Sequence, residues 1–489
     1  MKNIEGTILL KYIDYILKKF EGCFKRKETF IWFVTIVFGL IVRSDLRGIT
    51  SIVGVLRIKA DSYFSVLHFF RSKAFDLKAL KNQWIKIVME NFNLKTINER
   101  IFLIGDHTKV SKEARFMPGV KKHHQESENS GKPEYIYGHE LGMIGVLTDG
   151  KVMQCVPVDV EIHDGSDDVN KLSNSEIVKT TSAEKLMQMV SGFVQVSLKK
   201  IFLLLDAGFS NGKVFEETHN INKKAESDMV ITITRAKSNY VAYEKAERIH
   251  TRGREPKYGN KVKLSDLFKT SLELFASVKL EIYGKIETVQ YLHRDLLWKQ
   301  ANMIIRFVLV KTGEKVMILM CSDLNIHPET IITAYTYRFK IEVSFKYLKH
   351  VVGAFCYHFW TKAIPKLSKF KTETDLSLIT SQENIEKIST AFCATQIFTF
   401  IGCIALGILM MISENLPKSV WQNFSGWLRT VSSNSPSVET TRVAVQNAFN
   451  RNFRIVAIYK TLGLIQIHQR ADIEESVDIA DDLCYSETG

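Results

Sequence analysis

The chain has 489 residues, 45% of them hydrophobic and 11% aromatic, which excludes a disordered tail. At roughly 100 to 200 residues per domain it divides into about three cooperating units. A net charge of +13 favours polyanionic partners, since basic surface gains affinity by releasing counterions from phosphate backbones. The seven cysteines contain no CxxC pair, which excludes a zinc knuckle and a disulfide framework and points to a reducing cytoplasm.

Residues 1–98 read as a basic helical region. The opening MKNIEGTILLKYIDYILKKFEGCFKRK interleaves charges with apolar residues as an amphipathic helix does, and it lacks a signal-peptide pattern. FIWFVTIVFGLIV, Phe30 to Val42, is shorter than the roughly 17 to 25 residues that cross a bilayer, so a buried helix is expected. Two short apolar-periodic helices flank Ala60-Asp61, each with basic residues. Such a pair suits a DNA-binding helical domain and equally a bundle with a solvated basic face.

From Ile101 the texture changes to strands. IFLIGDH is an apolar run ending in Asp106, and YIYGHELGMIGVLTDGKVMQCVPVDV holds two runs that turn at Thr148-Asp149-Gly150-Lys151. SAEKLMQMVSGFVQVSL has the periodicity of a core helix, KKIFLLLDAGFSNG is a buried strand ending in Asp206, and MVITITRA is a further strand. This order predicts a mixed α/β sheet over 99–235 with carboxylates at strand ends. Residues 236–322 read as an inserted β subdomain with two hairpins, the second turning at Thr312-Gly313. Residues 323–381 return to the core through a helix entered at His327-Pro328.

Residues 382–489 read as mostly helical and close in the acidic ADIEESVDIADDL. Within them, Ala391 to Ile412 is apolar and long enough to span a bilayer. Thr395, Gln396 and Thr399, and the lack of a second such segment, favour a core or interface helix and no membrane.

The helix after Pro328 carries YTYRFKIEVSFKYLK. At about 100° per residue, Tyr335, Arg338, Glu342 and Lys349 fall within one arc of roughly 60°, flanked by Ile341, Phe345 and Leu348. The apolar flank can anchor the helix while the polar stripe faces a cleft. Asp106, Asp206 and Glu342 come from two strand ends and this helix, and the sheet can bring them together. Three carboxylates without a balancing buried cation repel one another unless a hard cation sits among them, and magnesium is the expected occupant.

The spacing Tyr335-x2-Arg338-x3-Glu342-x6-Lys349, with IGDHTKVSK from Ile104 and LLLDAGFS from Leu203, resembles the DDE transposases of bacterial insertion sequences. The likeness is to the subgroup with a Tyr-Arg-Glu-Lys signature on a ribonuclease H-like catalytic core, which also carries a long β insertion before the glutamate. The resemblance implies that Asp106, Asp206 and Glu342 bind two Mg²⁺ ions, with Mn²⁺ as a substitute. It implies that Arg338 and Lys349 grip phosphates of the transposon end and that Tyr335 contacts the backbone at the terminal nucleotides. A flipped base would stack on an aromatic residue of the insertion, for which Trp298 is the candidate, although burial within that subdomain suits it equally, and Arg252, Arg254 and Lys257 would contact the DNA backbone.

The expectation is therefore a cytoplasmic, nucleoid-associated transposase that acts on double-stranded DNA, both terminal repeats and target, as a homodimer. Residues 1–98 would recognise DNA, 99–235 and 323–381 would form the ribonuclease H-like core around the 236–322 insertion, and 382–489 would serve dimerisation. A structure-specific DNA endonuclease on the same core and a non-catalytic DNA-binding protein are the alternatives.

Overall fold

The computed structural model describes residues 2–112, 115–125, 133–246, 256–282, 284–368, 371–428, 435–452 and 459–468. Helices come first: α1 (Lys2–Lys18), α2 (Lys27–Val42), α3 (Ile49–Val55), α4 (Ser62–Arg71) and α5 (Leu77–Asn91). Every residue of α2 from Phe33 to Val42 is buried, as a run apolar on all sides but for Thr35 requires, and the Thr35 hydroxyl donates to the Ile31 carbonyl. Asp76 starts α5, its side chain accepting from the Lys78 N–H at 2.9 Å.

The sheet begins with β1 (Thr96–Ile97), β2 (Arg100–Ser111), β3 (Lys121–His124), β4 (Tyr135–Leu147) and β5 (Cys155–Ile162). Helices α6 (Ser166–Ser173) and α7 (Ser182–Ser197) lead to β6 (Ile201–Leu204), α8 (Gly212–Ala225) and β7 (Val230–Arg235). A reciprocal cap between Thr181 and Glu184 fixes the start of α7. At the centre β2, β6 and β7 run parallel, and their paired residues Leu103, Leu203 and Thr232 are all fully buried, as interior parallel strands require. The strand β2 continues past Asp106 to Ser111, so Asp106 stands within a strand, opposite Met143 of β4, and not at a strand end as expected. Long antiparallel pairing with β4 keeps the strand extended there.

The insertion supplies β8 (Val241–Tyr243), β9 (Lys261–Lys263), α9 (Leu267–Thr270), β10 (Ala276–Ile282), β11 (Lys285–Trp298), β12 (Met303–Thr312) and β13 (Lys315–Cys321). It extends the core sheet, because β13 pairs with β7, giving the order β3-β4-β2-β6-β7-β13-β12-β11-β8-β9. A small core of its own includes Leu264, Leu296, Trp298, Ile305 and Phe307, with Phe215 contributed by α8.

The chain returns through α10 (Pro328–Thr336), a 3₁₀ turn (Tyr337–Phe339), α11 (Lys340–Tyr347) and a π turn (Leu348–Val352). The uniform helix expected here is one right-handed backbone whose hydrogen-bond period changes three times, so its side chains depart from a regular wheel. Ile341, Phe345 and Leu348 are buried and anchor it. Last come α12 (Gln382–Asn415), α13 (Pro417–Asn423) and α14 (Val438–Arg451). Among the described residues α12 alone is long and apolar enough to cross a bilayer, and 94% of its apolar window is buried inside the protein, against β5, α2 and α4. The acidic ADIEESVDIADDL lies outside the described residues. The whole is a mixed α/β, ribonuclease H-like core with a β insertion and helical flanks, as the sequence predicts.

Candidate active site

Parallel pairing of β2 with β6, Ile104 opposite Leu204, carries Asp106 and Asp206 to the same end of the sheet. Asp206 follows β6 and caps a 3₁₀ turn, its Oδ1 accepting from the Gly208 N–H at 2.8 Å. The Thr234 hydroxyl donates to the Asp206 carbonyl at 2.6 Å, tying that turn to β7. Glu342 lies in the first turn of α11. Asp106, Asp206 and Glu342 line one cleft of about 810 Å³, together with Thr108, Lys109 and Lys349.

Two residues of the signature act on this cleft directly. Arg338 spreads its guanidinium between two carboxylates, Nη1 donating to Asp106 Oδ2 at 3.2 Å and Nη2 to Glu342 Oε1 at 2.6 Å. The expectation of carboxylates without a balancing cation is thus corrected: Arg338 supplies the charge, because the 3₁₀ turn brings it over β2 while Glu342 follows one helical turn later. Lys349 Nζ donates to Thr108 Oγ1 at 2.7 Å, and Thr108 shares a face of β2 with Asp106. Tyr335 is half-buried and packs on the main core.

Burial, and after it repulsion from Asp206, pushes the Asp106 carboxyl up to about 7; Glu342 adds to the rise, while Arg338 and the His107 N–H, 2.7 Å from Oδ1, hold it back. Burial alone would lower the Arg338 pKa, yet the Glu342 hydrogen bond and the Asp106 charge raise it overall. The guanidinium is therefore a permanent cation. By donor chemistry three carboxylates fit a hard divalent ion. Among the described residues, however, no three His, Cys, Asp or Glu side chains are gathered closely enough to cage one, and the Arg338 fork occupies the space between two of the three.

Sequence reasoning missed two supports of the site. His107 Nε2 lies 2.8 Å from His163 Nδ1, and His163 is fully buried with Nε2 3.3 Å from Met189 Sδ. Burial lowers both imidazole pKa values and keeps the pair neutral. The trace of this pair in the sequence is Gly142, opposite His107 in register, where a Cβ would stand 2.0 Å from His163 Cε1. The second support is Arg43, fully buried just after α2. It donates to Val352 O at 2.7 and 3.2 Å, to Gly353 O at 2.9 Å and to Gly48 O at 2.9 Å, and burial pulls its pKa down to about 10. The N-terminal helices thereby grip the end of the segment that carries Lys349.

Trp298 requires a correction. It is 2% exposed, with Phe215 edge-on at 5.5 Å and Tyr240 at 5.5 Å, so its indole fills the core of the insertion and presents no face to a base. A large apolar ring gains more from that burial than from an exposed position at the end of β11. Lys257 is exposed on the insertion, and Arg252 and Arg254 lie outside the described residues.

The sequence model of a family described as DDE superfamily endonuclease matches residues 19–290, a span that includes Asp106 and Asp206 and ends within β11, before Glu342. No curated protein matches the chain at a significant level.

Proposed function

The chain belongs to the DDE superfamily of endonucleases, and on that premise we propose that it is a DNA transposase of the bacterial insertion-sequence type, in the Tyr-Arg-Glu-Lys subgroup. Endonucleases of this superfamily act on DNA and generally depend on divalent metal. The observation that carries the narrower reading is the single cleft shared by Asp106, Asp206 and Glu342, with Arg338 and Lys349 beside them.

Those three carboxylates would hold Mg²⁺ or Mn²⁺, which when bound lowers the pKa of water and offsets charge on a phosphodiester. Lys349, steadied by Thr108, supplies a point charge for one phosphate oxygen. Arg338 supplies a planar fork for two. Tyr335 lies one helical turn before Arg338, near the end of α10, and in this reading contacts the backbone of the same strand. In the reaction a water oxygen adds to phosphorus at the element's end and the P–O3′ bond breaks, leaving a 3′-hydroxyl and a 5′-phosphate. The 3′-hydroxyl then attacks a second phosphodiester, in the opposite strand or in target DNA, exchanging one P–O bond for another.

In this reading residues 1–98 recognise the terminal repeats, and 382–489 mediate a homodimer that pairs two ends on the nucleoid. A structure-specific endonuclease is the second reading, favoured by a family description that names cleavage alone. Purified protein, a linear fragment bearing the repeats that flank its coding sequence, a plasmid target and Mg²⁺ separate the two, with Ca²⁺ as the non-catalytic control. Joined products establish the transposase, cuts without joining the endonuclease. No cleavage in Mg²⁺ overturns both.

A further inference from the structure

We propose that Arg338 is an exchangeable internal counter-ion: without DNA it neutralises Asp106 and Glu342, and it yields their oxygens to a divalent metal as it moves onto a substrate phosphate. This rests on the metal-dependent reading above and adds to it a coupling between metal and DNA.

Asp106 Oδ2 and Glu342 Oε1, the natural ligand atoms for a hard cation, are the two oxygens that accept from Arg338. A guanidinium has donors only and keeps its proton, so it cannot be neutralised in place; it has to leave before those oxygens can face an ion. The same property makes a phosphate its natural destination, since a phosphate offers the paired oxygens that a carboxylate pair offers. Arg338 is also placed to move. It sits on the 3₁₀ turn between α10 and α11, whereas the anchors Ile341, Phe345 and Leu348 follow it, so its long side chain can swing without displacing the helix that holds Glu342. Lys349, in the same cleft and bonded to Thr108, marks the place beside which a phosphate would receive it.

Thermodynamic linkage then requires reciprocity: DNA must raise metal affinity by the factor by which metal raises DNA affinity. The free protein would hold metal weakly, and the site would charge fully only on its substrate.

The test is Mn²⁺ binding by the full chain, read from the free-ion EPR signal and by calorimetry, with and without a short duplex of random sequence. Without DNA, Arg338→Ala and Arg338→Gln should bind Mn²⁺ about tenfold more tightly than wild type, within the usual range of coupling. The duplex should tighten wild type by more than it tightens either variant. Mn²⁺ should also raise the Tm of the variants more than that of wild type, which shows at the same time that they are folded. Equal Mn²⁺ affinity of wild type and both variants without DNA overturns the exchange and leaves the metal site standing. No Mn²⁺ binding by any of them, or binding unaffected by Asp106→Asn, overturns the functional reading itself.

Discussion

Replacing Asp106 by asparagine should stabilise the protein, by an amount that depends on pH. The carboxyl titrates near 7 in the fold and near its ordinary 3.8 when unfolded. Between those values the folded state keeps a proton that the unfolded state has lost, so stability falls as pH rises from about 4 to about 7 and stays at the lower level above. The loss approaches about 4 kcal/mol. Asparagine keeps the shape and carries no charge, so Asp106→Asn should match wild type at pH 4 and exceed it by up to that amount at pH 8. For a chain of this length that corresponds to a Tm difference of about 4 °C. Thermal unfolding of both proteins from pH 4 to pH 8 measures it, the difference between them cancelling the titrating groups remote from Asp106. Parallel curves, or a variant less stable than wild type at pH 8, would refute the account of Asp106 as a destabilising buried carboxylate.

Other outcomes follow from individual contacts. Lys349→Ala should leave the Tm nearly unchanged and lower the single-turnover cleavage rate about 100-fold, the scale of one lost transition-state donor. Arg43→Met leaves the carbonyls of Gly48, Val352 and Gly353 without their donor and should cost about 3 kcal/mol, read by urea unfolding. Gly142→Ala forces the His163 ring from its place against His107 and should cost about 1–3 kcal/mol, with a fall in cleavage as His107 shifts. Trp298→Ala should lower stability by about 3–5 kcal/mol and, well below its Tm, leave DNA affinity unchanged; a selective loss of DNA affinity by the folded variant would return that ring to the DNA.

Local patterns carried much of the fold. Alternation and an Asp-Gly turn foretell β4 and β5, Pro328 marks the start of α10, and the apolar length of α2 and α12 foretells their burial. The stripe of Arg338, Glu342 and Lys349 was also legible, because the three follow one another along a continuous helical segment, although its hydrogen-bond period changes between them. What was not legible depends on pairing between distant segments. The ion pair from Arg338 to Asp106 and the grip of Arg43 on Val352 join residues far apart in the chain, and spacing along a sequence carries no signal for either. Trp298 illustrates the same limit in reverse: its chemistry suits either a base or a core, and only the placement of α8 and β12 decides between them.

Helix α1 is made before the whole sheet yet packs on α13 and α14, which are made after it, and α12 lies against α2, α4 and β5. Synthesis therefore has to pass Gln382 before the sheet and the early helices receive their cover. A nascent chain stopped short of Gln382 would display the apolar sides of α2 and β5 to its surroundings, a state prone to aggregate or to occupy a chaperone. Chains truncated before Gln382 should accordingly be insoluble, and consolidation of the molecule has to wait until α12 to α14 have been made.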